Sequence, residues 1–386
     1  MNNQTFMKTL DDIQNRVELK EGVSGLLRVL ATVSRFQDKS IKKISQESEI
    51  PVPICVAIRN EFEKVNWVHK TSKGAKLTSE GNEALDTLGG LNEDFQCENC
   101  FGMGVVFPFK RFEDSLAIIT KYCEMRGVPN TQIDQSYATT ETNLARVLFL
   151  SHKFDLFRKN YAFIGDSDLT SIALALFAHE SSRIVVFDID TRIGEIINLV
   201  NEECNLKIQF VEHDLRNPIP IEYHDNFECI LTDPPYTRNG CNLFISRGIE
   251  LLSKQSNGVI YLSFTNKPPK EMKGIESDLL KMGCLITDIN RRFNKYVGAQ
   301  KLGGVSTLYR LEAIPPFHPT IEGLYENYIY TGDIVKKIRN YLCIHCSKEI
   351  EVGKGKTFVT IEQLKKNSCP FCHHNKFRKM SERSIE

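Results

Sequence analysis

Hydrophobic positions along the chain change their period twice. Between residues 20 and 90 they recur at three- and four-residue intervals, in SGLLRVLATVSRF, in SIKKISQESEIPVPICVAIRNEFEKVNWV and in VHKTSKGAKLTSEGNEALDTL. This pattern predicts a helix, a short helix after Ser40, a turn at Pro51 to Pro53, a longer helix and a Lys/Gly-rich wing, the order of a winged helix-turn-helix. From about residue 160 to 315 the apolar runs become short and rich in β-branched and aromatic residues: YAFIGD, RIVVFDID, IQFVEHD, ECILTDPP and GVIYLSF. Helical patterns such as TRIGEIINLVNEECN and NLFISRGIELLSK separate them, which predicts a doubly wound α/β domain with a mostly parallel sheet.

Two later runs, CLITDINRRF and VSTLYRLEAI, flank a Gly-rich loop and predict an antiparallel edge. With it the domain becomes a Rossmann-like, seven-stranded sheet of the methyltransferase type. The glycines and the C-x-x-C pair of LGGLNEDFQCENCFGMGVVFP, Cys97 and Cys100, break the helical period and mark a boundary. A lone pair of this kind reads first as a structural turn. The expected organisation is a winged-helix domain at 1–90, a linker and helical segment at 91–160, the α/β domain at 161–335 and a small tail at 336–386.

Composition narrows the class. At 386 residues, 41% hydrophobic and 25% charged, the chain can bury a sizeable core. Its longest apolar run, Ile172 to Ala178, is far too short to span a bilayer, and the N-terminus has no apolar stretch of signal-peptide length. A cytoplasmic protein without a membrane partner is expected. Six of the twelve cysteines fall in C-x-x-C pairs, which suits reduced thiols and metal sites rather than a disulfide scaffold. The net charge of zero conceals an asymmetry, because residues 336–386 hold 12 Lys/Arg against 5 Asp/Glu and the rest of the chain carries the balancing negative charge. The body therefore favours cationic ligands.

Ligands of an open α/β sheet bind outside the carboxyl ends of the strands, where strand order reverses. Four consecutive predicted strands end in carboxylates here: Asp166 and Asp168, then Asp188 and Asp190, then Asp214, then Asp233 of DPPY. A single one would be explained as a helix N-cap, a job suited to Asp168 or Asp190. Four together point to a site. Asp190, with Asp188 two residues earlier, is placed for ribose hydroxyls, and Asp214 for an adenine amino group. In DPPY, a motif of adenine and amine N-methyltransferases, the Pro-Pro step holds the backbone extended so that Asp233 can hold a nitrogen nucleophile and Tyr236 can stack on a planar or cationic group. Gly165 and Pro234 complete the expected cofactor-binding set.

The first loop, Gly165-Asp166-Ser167-Asp168, lacks the second glycine that usually lets a backbone approach the amino-acid end of S-adenosylmethionine. Acidic groups there suit a cofactor without its carboxylate, whose cationic propylamine would face them, or a polyamine acceptor. At this point the chain resembles the branched-chain polyamine synthases, whose signature is a G-D-D-D loop after the first strand. The resemblance includes Asp134-Gln135, ETNLAR (Glu141 to Arg146), DID with Arg192, HDLRNPIP (His213 to Pro220), DPPYT, YVGAQKLGGVSTLYRL (Tyr296 to Leu311) and YIYTGD (Tyr328 to Asp333), over roughly residues 20 to 335. It implies transfer of the aminopropyl group of decarboxylated S-adenosylmethionine to the N4 amine of spermidine, with 5′-methylthioadenosine released. It also implies a homodimer. The last loop aspartate, Asp168, is implied as the group that orients and deprotonates the amine. Asp166 and Asp233 are then expected to hold flanking ammonium groups, with Tyr236 shaping the channel.

Two departures from that family shape further expectations. Ser167 replaces the middle aspartate, which is expected to weaken acceptor binding or shift it toward a shorter polyamine. The tail carries Cys343, Cys346, Cys369 and Cys372 as C-x2-C-x22-C-x2-C, the spacing of a zinc ribbon with a closed structural site. Its expected role is folding, ahead of contact with nucleic acid or a lid over the substrate. The competing reading is a DPPY-type nucleic-acid methyltransferase. Against it stand the missing glycine-rich loop and the negative body.

Overall fold

The computed structural model describes residues 3–384 apart from 18, 20–21, 49, 51, 88–96, 98–103, 131–132, 158, 266, 298–303, 331–336, 354 and 359–360. The chain divides into two compact units. The larger takes in residues up to 129, 136–234 and 241–325, and the smaller residues 130–135, 235–240 and 326 onward.

The larger unit begins with α1 (Asn3–Val17), α2 (Gly22–Arg35), α3 (Ile41–Ser48) and α4 (Val52–Lys64), followed by a hairpin, β1 (Val68–Lys70) with β2 (Ala75–Leu77), and α5 (Ser79–Asp86). Apolar residues at helical spacing in α1, α2 and α4 close over Trp67, whose ring lies 5.2 Å from that of Phe6 and 5.6 Å from that of Phe62. Thr78 starts α5 by accepting the Gly81 N–H at 2.9 Å.

A seven-stranded sheet follows α6 (Glu113–Glu124) and α7 (Thr140–His152). Its parallel strands are β3 (Tyr161–Ile164), β4 (Ile184–Asp188), β5 (Ile208–Glu212), β6 (Cys229–Thr232) and β7 (Gly258–Phe264). The edge formed by β8 (Cys284–Lys295) and β9 (Val305–Ala313) is antiparallel, as the sequence predicts. Strand order is β5-β4-β3-β6-β7-β9-β8, so the chain reverses direction across the sheet between β3 and β6. The connecting helices are α8 (Thr170–Ala175), α9 (Thr191–Cys204), α10 (Arg238–Leu251) and α11 (Pro269–Lys281). β3, β4, β6 and β7 are buried at every position, which explains their continuous apolar runs: both faces of a parallel sheet are covered. One core joins Phe163, Val186 and Leu231 of the strands to Leu148, Ile172 and Ile197 of the helices.

α7 departs from the amphipathic pattern. It is buried at every residue from Thr142 to Ser151, so Arg146 lies inside the protein.

The smaller unit holds a three-stranded sheet in the order β11-β10-β12, from β10 (Lys337–Cys343), β11 (Glu349–Val352) and β12 (Phe377–Ser384), with α12 (Ile361–Asn367). Its core is small: Tyr341, Ile350, Val352, Phe358 and Leu364 beside Cys343 and Cys369.

Candidate functional site

The loop after β3 is built around a glycine. Gly165 has φ +72, and a Cβ there would stand 3.3 Å from the Phe244 ring. The next residue, Asp166, donates its N–H to Asp188 Oδ2 at 2.8 Å, which fastens the β3 loop to the end of β4. Its carboxylate accepts the N–H groups of Thr170 at 2.8 Å and Ser171 at 3.0 Å. Asp166 therefore supplies the cap of α8, a job for which the sequence made Asp168 a candidate. Leu169 occupies the N-cap position with φ 61 and no capping side chain. A buried leucine in the left-handed region is strained by about 1 kcal/mol or more, and such strain concentrates where a loop must hold its groups in a set geometry. Burial pushes the Asp166 carboxyl up to about 8, against the opposing pull of Ser171 and the Thr170 N–H.

Turning the loop this way points Asp168 toward α7 and the segment before it instead. Its Oδ1 accepts the Ala138 N–H at 2.6 Å and its Oδ2 accepts Arg146 Nη1 at 2.7 Å. Its carbonyl is bonded by Asn143 Nδ2 at 2.6 Å and Arg126 Nη1 at 3.0 Å. Arg146 forks from Asp168 to the end of β6, where Nη2 donates to Asp233 Oδ2 at 2.9 Å. Nε of the same guanidinium donates to Asn294 Oδ1 at 2.9 Å. The Tyr296 hydroxyl also donates to Asp233 Oδ2, at 2.6 Å, and lies 2.9 Å from the Ser306 hydroxyl. Asp168 and Asp233 thus meet at the strand reversal between β3 and β6, joined by one arginine. Burial lifts the Asp233 carboxyl to about 7; the Arg146 charge opposes this and the Asp168 charge adds to it. For Arg146, burial favours loss of the proton, but Asp168, Tyr296 and Asp233 outweigh it and hold the guanidinium charged.

The other strand-end carboxylates are bound locally. Asp188 is buried, accepting the N–H groups of Asp166 and of Asp190, at 2.9 Å, and burial raises its carboxyl. Asp190 caps α9 through the Arg192 N–H and grips the Arg192 side chain at 2.8 and 2.6 Å. Asp214 pairs with Arg216 at 2.5 Å in the loop after β5; burial raises its carboxyl, and the Arg216 hydrogen bonds and charge bring the net effect below the usual range. Arg247, fully buried, steadies that loop by donating to the carbonyls of Leu215 and Arg216. Pro234 is buried after Asp233, and Tyr236, half-buried, belongs to the smaller unit. Cys97 donates its N–H to Gly104, while Cys100 lies outside the described residues.

The resemblance takes in ETNLAR and the segment from Tyr296, but sequence pattern assigns no role to Arg146, Asn294, Tyr296 or Ser306. A signal existed for Arg146. It stands in the apolar run NLARVLFL, and a buried arginine needs carboxylate partners.

In the smaller unit the four sulfurs of Cys343, Cys346, Cys369 and Cys372 all lie within 4.8 Å of one another. Cys343 and Cys372 are 3.5 Å apart and Cys346 and Cys369 3.7 Å. Tetrahedral zinc with Zn–S of about 2.3 Å places its sulfurs about 3.8 Å apart, so the cluster fits zinc. His345 and His374, exposed, stack at 3.7 Å beside Cys372.

The sequence profile described as "Branched-chain polyamine synthase A C-terminal domain" matches residues 114–349. N(4)-bis(aminopropyl)spermidine synthase of Methanocaldococcus jannaschii is 31% identical over 352 residues, covering 90% of this chain and 96% of the relative. The protein of the same name from Thermococcus kodakarensis is 34% identical over 274 residues, covering 70% and 76%. The solved structure of the branched-chain polyamine synthase from Thermus thermophilus, in complex with N4-aminopropylspermidine and 5′-methylthioadenosine, superposes with a TM-score of 0.52 at 22% identity. It covers 86% of this chain and 98% of that one, which shows a shared fold.

Proposed function

The chain belongs to the branched-chain polyamine synthase family, and from that premise we propose that it transfers the aminopropyl group of decarboxylated S-adenosylmethionine to the N4 amine of spermidine. The observation that carries this reading is the pair Asp168 and Asp233, brought together at the strand reversal by Arg146. A polyamine is a cation, and paired carboxylates at this position are suited to bind one.

In the proposed reaction the amine nitrogen forms a bond to the aminopropyl carbon next to the sulfonium. The carbon–sulfur bond breaks, its electron pair stays on sulfur, and 5′-methylthioadenosine leaves. The amine is protonated in neutral water and must lose that proton before its lone pair can attack. Asp168 takes it. An ionised carboxylate has about four lone-pair sites, and Ala138 and Arg146 fill two of those on Asp168. Asp233 orients the amine or a neighbouring ammonium. Asp166 and Asp188 act one step further out, by fixing the loop that carries Asp168. Asp190, Asp214, Gly165 and Pro234 remain the proposed lining for the nucleoside end. Decarboxylated S-adenosylmethionine supplies the electrophilic carbon, and the protein contributes position and charge.

Other parts of the reading follow. Zinc held by Cys343, Cys346, Cys369 and Cys372 would supply a structural cross-link for the ribbon, whose own core is too small to suffice. The helices and hairpin of residues 22–86 form a winged helix that supports a homodimer, and the enzyme works in the cytoplasm.

The test is mass spectrometry of purified protein with spermidine and decarboxylated S-adenosylmethionine, beside S-adenosylmethionine and beside Asp168→Ala. Methylthioadenosine with a product heavier by one or two aminopropyl groups, lost in Asp168→Ala, is the expected result. Methyl transfer, or no transfer, overturns the reading.

A further inference from the structure

We infer that Arg146 is a positioning residue: it ties Asp168 and Asp233 into one anionic unit and leaves Asp233 Oδ1 without a donor among the described residues, so that the amine can meet this oxygen beside Asp168. This rests on the reading above and deepens it.

The two carboxylates are held differently. Asp168 has a side chain 5% exposed, and both its oxygens accept hydrogen bonds. Asp233 has a side chain 21% exposed and accepts from Arg146 and Tyr296 on Oδ2 alone. No described residue donates to its Oδ1. The guanidinium itself is locked, with Nη1 also reaching Thr170 Oγ1 at 3.1 Å and Nε held by Asn294, which in turn donates to Ser306. A planar fork of this kind holds two carboxylates in a fixed geometry, which an ammonium on a flexible stem does not impose.

Without this cation, Asp168 and Asp233 would be two carboxylates crowded at adjoining strand ends. Like charges so placed drive one group to take a proton. The other ionisable groups facing the pair do not replace Arg146. Tyr296 is a phenol, Cys123 meets the Asp168 carbonyl at 3.6 Å, and Arg126 bonds that carbonyl rather than the carboxylate. Arg146 thus sets the direction of both carboxylates and opposes protonation of Asp233.

The experiment compares wild type, Arg146→Met and Arg146→Lys in aminopropyl transfer from pH 6 to 9, with kcat and KM determined separately. Arg146→Met should move the acid limb of kcat/KM up by about one pH unit or more and lower kcat at least about tenfold. Arg146→Lys should recover part of both. A purely structural arginine would lower thermal stability and leave the acid limb in place, and that result overturns the inference.

A wild type without aminopropyl transfer overturns the functional reading alone. The inference is then read without turnover, by NMR titration of ¹³C-carboxyl-labelled aspartates. A carboxyl that titrates higher in Arg146→Met than in wild type is expected, and unchanged titrations refute it. If Arg146→Met does not fold, Arg146→Lys serves both measurements, with a smaller shift of the same sign expected and none overturning the inference.

Discussion

Replacing Asp166 by Asn separates a structural carboxyl from a catalytic one. Asp166 is buried, and its carboxyl stands at about 8 in the fold against an ordinary 3.8. The folded value is the higher, so the stabilising contribution is complete below pH 3.8 and is lost as pH rises toward 8. Across that window the unfolded chain gives up the proton and the folded chain retains it. Each pH unit then costs about 1.4 kcal/mol, or on the order of 4 kcal/mol between pH 5 and 8. Asn is neutral at every pH. It keeps one acceptor oxygen for the end of α8 but turns an amino group toward the second N–H, which costs about 1–2 kcal/mol at pH 5. Urea unfolding of both proteins at pH 5, 6, 7 and 8 should therefore show the variant weaker at pH 5, with the deficit shrinking or reversing by pH 8. Asp233, at about 7, changes stability in the same direction in both proteins and drops out of the comparison. Parallel profiles would refute the reasoning, because they would mean that the two N–H groups keep Asp166 ionised in the fold. Aminopropyl transfer at pH 7 should survive Asp166→Asn within about tenfold, since this carboxylate faces the helix end.

Two further outcomes are expected. Tyr296→Phe removes the hydroxyl that donates to Asp233 at 2.6 Å; a hydrogen bond to a charged group contributes about 1.5–3 kcal/mol, so steady-state kinetics should show kcat/KM lower by about tenfold to a hundredfold. Metal analysis of the purified chain should find one zinc per chain, and Cys369→Ser should lose it together with the protection of the β10 and β12 amides from hydrogen exchange.

The sequence alone determined the sheet. β-branched runs of four to seven residues, separated by helical patterns, can be covered on both faces in few ways, and the structure places β3 to β7 where those runs lie. The thiol cluster was equally legible, because C-x2-C twice in a short segment leaves little freedom to the four sulfurs. Local pattern also located Asp166, Asp168, Asp188, Asp190, Asp214 and Asp233 at strand ends. It did not tell them apart. Which aspartate caps α8 depended on Leu169 adopting a left-handed conformation, which swings Asp166 toward the helix and Asp168 away from it. Arg146 and Tyr296 stand 150 residues apart in the chain, yet both reach Asp233. No spacing rule encodes that meeting. The crossing order of the sheet and the burial of α7 bring them together, and in that dry interior a charge must find its partner wherever the fold has put it.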